Sequence, residues 1–194
     1  NFNYTKIDLS DLEKVKNLTF PKLDNIEVLL INNAASIGKI VSVNHKQETE
    51  IINNYNLNII TPTLLCSKFI NSFAKNKKMI INISSGAANN SIASWSTYCA
   101  TKAALDRLTD VIAEEKHKNL TIFSIHPGIV DTEMQKEIRN TSANKFPLLD
   151  KYISYYKNNE LENTQNVAHK LLYLIENYSK NNQNILSIRD VNIN

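Results

Sequence analysis

Along this chain, apolar runs of strand length alternate with longer segments of helical periodicity. Ile26 to Ile31, Met79 to Ile83 and Leu120 to Ile125 are nearly continuous apolar runs, as expected of strands buried on both faces. The short stretch Tyr4 to Asp8 reads as a further strand, followed by a charged helical segment that Ser10 can cap. Helical patterns cover about Lys46 to Phe73, with a bend expected near Pro62, then about Ser96 to Glu115 and Thr164 to Tyr178. A last strand is expected near Ile185 to Val191. Strands alternating with helices predict an α/β fold of βαβ units, with a parallel sheet covered on both sides. No linker interrupts the pattern, so residues 1–194 are expected to form one domain. The polar stretch Lys136 to Glu162 lacks a strand pattern and is expected to be an excursion that covers a substrate.

Ligands of such sheets sit beyond the carboxyl ends of the strands. The segments there are Asn32-Asn33-Ala34-Ala35, Ser84-Ser85-Gly86 and His126-Pro127-Gly128-Ile129-Val130-Asp131-Thr132. Tyr98 and Lys102 complete the set, spaced i, i+4 on one helix face. The pair has a chemical logic. Reducing a ketone takes a hydride and a proton, and a positioned acid speeds the proton's delivery. An ammonium one turn away is expected to lower the phenol's pKa and bring Tyr98 toward neutral pH. Ser85 offers a hydroxyl to the substrate carbonyl as charge develops on its oxygen. A Tyr-x-x-x-Lys pair alone is more often a solvated helix face; the strand ending in Ser84-Ser85 before it carries the signal.

Composition narrows the field. Lys and Arg total 22 against 19 Asp and Glu, and the net charge of +3 argues for neither nucleic acid nor a membrane surface as partner. No run approaches the roughly 18 apolar residues of a membrane span. The two cysteines, Cys66 and Cys99, fit a reducing compartment, and a cytoplasmic location is expected. His45, His117, His126 and His169 have no metal-ligand spacing, so no metal is expected and all four are given structural or surface roles.

With these residues in place, the chain resembles the short-chain dehydrogenase/reductase family from Asp8 to about Asp190. Tyr98-Cys99-Ala100-Thr101-Lys102 is similar to that family's active-site signature, and Asn32-Asn33-Ala34-Ala35 to its Asn-Asn-Ala-Gly, with Ala35 in place of glycine. The resemblance implies a Rossmann-type doubly wound parallel sheet and a catalytic set of Asn58, Ser85, Tyr98 and Lys102. Asn58 would hold a water in the relay behind Lys102. It also implies a nicotinamide cofactor held by Asp8, Leu9, Asn32, Asn33, Ala34, Tyr98, Lys102, Pro127, Gly128, Val130 and Thr132. A homodimer is implied too, packed through the helix that continues with Ala103, Ala104, Leu105, Leu108, Val111 and Ile112.

Within the family, the segments Leu29 to Gly38, Asn53 to Asn58, Trp95 to Cys99 and Asp131 to Gln135 resemble the sepiapterin reductases. That likeness implies NADP(H) and a pterin substrate bearing a side-chain ketone. Ser85, Tyr98 and Trp95 would contact the substrate, and the carboxylate of Asp190 would accept two parallel N–H bonds from the pterin's edge. A plain surface role for Asp190, and a core role for Trp95, stand beside these readings. The alternatives are a benzil-type dicarbonyl or ketone reductase of the same family, which needs no carboxylate, and a non-catalytic binding protein on this fold. Only Gly38, Gly86 and Gly128 occur, so the family's glycine-rich phosphate loop has no counterpart. The resemblance begins at the family's third strand. Two strands and that loop are therefore expected to precede Asn1 in the natural protein, and the Ile26 to Ile31 strand of this chain is expected to present a bare apolar edge.

Overall fold

The computed structural model describes residues 3–178 and 183–191. A short helix α1 (Leu12–Asn17) leads to strand β1 (Val28–Asn32). Helices α2 (Glu48–Tyr55) and α3 (Thr61–Ser72) cross to β2 (Lys78–Ile83), and α4 (Ser96–Glu114) crosses to β3 (Leu120–His126). Then α5 (Glu133–Arg139), α6 (Leu149–Lys157) and α7 (Thr164–Glu176) lead to β4 (Ile185–Ser187). The strands pair in parallel in the order β1-β2-β3-β4, an arrangement that needs a crossover between each pair.

Side chains alternate across the sheet and divide the core in two. Ile80 and Ile122 face α3 and α4, packing with Cys66, Phe69, Phe73 and Ile112. Ile81 and Phe123 face the other way, packing with Leu174 of α7 and with Ile188. Both faces of β2 and β3 are thus covered, as their continuous apolar runs require, and the fold is the expected Rossmann-like parallel α/β sheet. A third cluster lies beyond the carboxyl ends of the strands, where Ile138, Phe146 and Leu149 close over Trp95 and Tyr98. The 136–162 excursion is therefore two helices packed above the sheet's carboxyl edge. Its base is closed by an isolated bridge between Val130 and Glu162.

The structure departs from sequence expectation at four places. Residues 4–8 form no strand. The cap of α1 is Asp11, whose carboxylate accepts from Lys14 N–H, because Ser10 turns back and gives both its N–H and hydroxyl to Asp8 Oδ1. The bend near Pro62 is a single π turn at Asn56–Ile60, with Thr61 N–H reaching the Asn56 carbonyl. Proline has no N–H to return to the Asn58 carbonyl four residues earlier, and the wider turn accommodates that loss. The last strand stops at Ser187, and Ile188–Asp190 form a 3-10 turn.

Among the described residues β1 pairs only with β2 and is an edge. Leu29 and Ile31 are 43% and 42% exposed there, and Ile26 is 49% exposed. An apolar strand edge is a template for self-association. The double variant Leu29→Lys/Ile31→Lys is expected to remove most high-mass species of this 194-residue chain, measured by light scattering after size-exclusion chromatography. An unchanged mass distribution would place the association elsewhere.

Candidate active site

Helix α4 carries a buried polar stripe, Tyr98, Lys102, Asp106 and Thr109, at spacings that keep all four on the face toward the sheet. Lys102, Asp106 and Thr109 each find a partner toward the carboxyl end of a strand. Lys102 Nζ donates to the Ile83 carbonyl at 2.7 Å. Asp106 accepts from Ser124 Oγ at 2.6 Å and from His126 Nε2 at 2.8 Å. Thr109 Oγ1 accepts from Asn82 Nδ2 at 2.9 Å, and Asn82 Oδ1 accepts from Asn32 Nδ2 at 2.8 Å. Asn32, Asn82 and Ser124 lie in register across three strands, so one row of polar side chains underlies the site.

Above this row opens a cavity of about 880 Å³. Tyr98 and Lys102 enter it from α4, Ser85 from the turn after β2, and Pro127, Gly128, Val130 and Thr132 from the segment after β3. Ser85 caps the following 3-10 turn, its hydroxyl accepting from Ala87 N–H. The same hydroxyl and Tyr98 line the cavity together. Gly128 has φ +82, a backbone conformation that favours glycine, and a Cβ there would push the Arg189 side chain aside, at 2.9 Å from its Nε.

The protonation pattern differs from expectation. Burial pushes the Tyr98 phenol above its ordinary value, opposed by the hydrogen bond with Ser85. The Lys102 ammonium, drawn onto the Ile83 carbonyl, lies 5.7 Å from the Tyr98 ring centroid. Burial pushes Lys102 down to about 8, opposed by the charge of Asp106. Burial also pushes Tyr152, across the cavity, up to about 12, so it is a neutral phenol.

The sequence-derived set divides on this structure. Ser85, Tyr98, Lys102, Trp95, Asn33, Pro127, Gly128, Val130 and Thr132 line the cavity. Asn58 does not. It is 1% exposed, exchanging bonds with Ser36 N–H and C=O and donating to Thr101 Oγ1. Its side chain is held by the Ser36 backbone and by Thr101. Asn32 belongs to the polar row beneath the cavity. Ala34, Asp8 and Leu9 are also outside the lining; the Leu9 carbonyl accepts from Thr61 Oγ1. Asp190 is exposed on its 3-10 turn, while its neighbour Arg189 lines the cavity.

Trp95 serves the cavity wall and the core together. It is 4% exposed, stacks on Phe146 at 5.3 Å and meets Tyr98 edge to face at 5.8 Å. Phe146 and Tyr152 extend the aromatic cluster. The charged lining is cationic, namely Lys102, Lys151 and Arg189, and no Asp or Glu lines the cavity among the described residues. His126, read from sequence as structural or surface, is a cavity residue paired with Asp106. Asp106 went unnoticed. Its i, i+4 spacing from Lys102 on a helix was the available signal.

The chemistry of these donors fits a nicotinamide cofactor. Lys102 has three N–H donors, one of which goes to protein among the described residues, and its side chain sits at the carboxyl edge of a parallel sheet beside the turn at Gly128.

Comparison with known proteins agrees with the geometry. A family model described as short chain dehydrogenase matches residues 1–143. The benzil reductase ((S)-benzoin forming) of Bacillus cereus is 32% identical over 187 residues, covering 91% of this chain and 75% of that protein. The sepiapterin reductase of Bos taurus is 35% identical over 156 residues, covering 77% of this chain and 57% of that protein. The crystal structure of a short chain dehydrogenases/reductase from Saccharomyces cerevisiae is similar in fold, with TM-score 0.83 and 24% identity, covering 96% of this chain and 76% of that one.

Thr109→Val removes the acceptor of Asn82 Nδ2 and leaves a buried amide unpaired. The variant is expected to lose about 1–3 kcal/mol in urea unfolding. No loss would mean that the polar row does not hold α4 in place.

Proposed function

Because the chain belongs to the short chain dehydrogenase family of oxidoreductases, we propose that it reduces one carbonyl of an apolar aromatic ketone or 1,2-diketone with NADPH. The observation that carries this reading is the wall of the cavity. It is aromatic and aliphatic, with Trp95, Tyr152, Ile92, Met134 and Leu148, and it offers no carboxylate among the described residues. Aromatic rings stack on such a wall. A pterin's row of N–H donors, by contrast, calls for a carboxylate. Asp190, the residue expected to supply one, is exposed and outside the lining. Likeness to a benzil reductase over 91% of the chain supports the same substrate class. The pterin reading keeps the support of the sepiapterin reductase likeness, which covers 77% of the chain.

When bound, the cofactor supplies the hydride. Lys102, with Tyr98, would hold its nicotinamide ribose, and the 127–132 segment would flank the nicotinamide. Ser85 donates a hydrogen bond to the substrate carbonyl, stabilising the developing oxyanion. Tyr98, its phenol kept protonated by burial, gives its proton to that oxygen. Residues 1–194 act together as one catalytic domain. The outward face of α4 (exposed Ala103, Ala104 and Val111) is the surface on which a second copy packs.

The test compares benzil with sepiapterin in NADPH oxidation by the natural protein. Benzil is expected to show a kcat/KM at least tenfold the higher, and the reverse ranking would restore the pterin reading. Asp190→Asn separates the two independently. The diketone reading expects an unchanged KM, whereas a pterin anchor requires a rise of about tenfold or more, the loss expected when a charged hydrogen bond is removed.

A further inference from the structure

We propose that Asp106 is a positioning residue for the reaction: from one helical turn below, its carboxylate keeps the buried Lys102 side chain an ammonium. The inference rests on the functional reading above for its consequence in catalysis, and on the geometry of α4 for the rest.

Lys102 is 2% exposed, and its one protein hydrogen bond among the described residues goes to a neutral carbonyl. An ammonium so placed has lost water without gaining an ion pair, and such a group tends to shed its proton. A counter-charge nearby is therefore needed. Asp106 is the one acidic side chain in the buried set of the described residues. It follows Lys102 by four residues and so shares its helix face. The carboxylate is fixed and held ionised. Burial raises its pKa, but hydrogen bonds from His126 and Ser124 bring it below the ordinary carboxylate value. An ionised carboxylate only accepts, so His126 Nε2 carries the proton of that bond.

The other groups around Lys102 do not share the role. Tyr98 on the same helix is neutral, and β2 presents only the backbone carbonyl of Ile83. His126 of β3 faces Asp106. Lys151 of α6 and Arg189 after β4 line the same cavity as further cations, and they oppose a charge on Lys102. A tie between α4 and β3 could be made by a neutral amide; only the electrostatic role needs a carboxylate. That difference makes the proposal testable.

The test follows the titration of Lys102 by heteronuclear NMR of the protein labelled at lysine, with the Lys102 signal identified by its loss in Lys102→Met. Asp106→Asn is expected to move the midpoint down by roughly half a unit to one unit, and Asp106→Glu to return it toward wild type. The basic limb of the pH profile of NADPH-dependent benzil reduction is expected to move with it. An unmoved midpoint in Asp106→Asn, with activity lowered equally at every pH, would reduce Asp106 to a structural tie and overturn the proposal. If Asp106→Asn does not fold, Asp106→Ser carries the same test, since it drops the charge without setting an amide donor against Ser124 and His126. The titration uses neither substrate nor cofactor. Failure to reduce benzil would therefore count against the proposed function alone, and an unmoved midpoint beside normal turnover against this inference alone.

Discussion

The site depends on how the buried polar face of α4 is satisfied. Four polar side chains in a helix interface would destabilise it if any were left without a partner, at about 1–3 kcal/mol each. For Lys102, Asp106 and Thr109 the strand ends meet that demand with Ile83, Ser124, His126 and Asn82. These bonds fix the rotation of α4 about its axis, because a helix turned by one residue would break several at once. Rotation in turn decides where Tyr98 and Lys102 point. Structure and chemistry are coupled here: the row that holds the helix also aims the acid.

Around that fixed pair the chain builds a cavity of mixed character. The floor, at the strand ends, is polar and charged. The wall, contributed by Trp95 and by the helices after β3, is aromatic and aliphatic. A carbonyl group suits the floor and an aromatic body suits the wall. The excursion between β3 and β4 is anchored at its base by the Val130–Glu162 bridge and near its middle by Ser94 Oγ, which donates to the Lys145 carbonyl at 2.6 Å. It covers the site as a packed layer, with Ile138, Phe146 and Leu149 all buried.

Much of this was legible in the residues. Continuous apolar strands announced the buried sheet, and the parallel sheet pointed to its carboxyl edge, where the cavity opens. Ser85, Tyr98 and Lys102 followed from that edge and from helical spacing. What stayed hidden was relational. Pro62 signals a break, but whether a helix answers with a kink or a π turn depends on its packing. Asn58 matches the family pattern, but the tie of its side chain to the backbone of Ser36, a loop residue distant in sequence, has no local signal. Asp190 and Arg189 are neighbours, and the 3-10 turn that selects Arg189 for the cavity leaves no mark in an apolar pattern. The partnership of Asp106 with His126 joins a helix to a strand end, and no local pattern in either segment reports the other.

The most direct test of the account is hydride transfer from NADPH carrying deuterium at the nicotinamide C4, followed into benzil by NMR of the product. The account predicts deuterium on the new carbinol carbon with the wild-type protein. With Tyr98→Phe, at saturating NADPH, it predicts transfer slowed by about a hundredfold or more. Transfer at the wild-type rate without the phenol would contradict it.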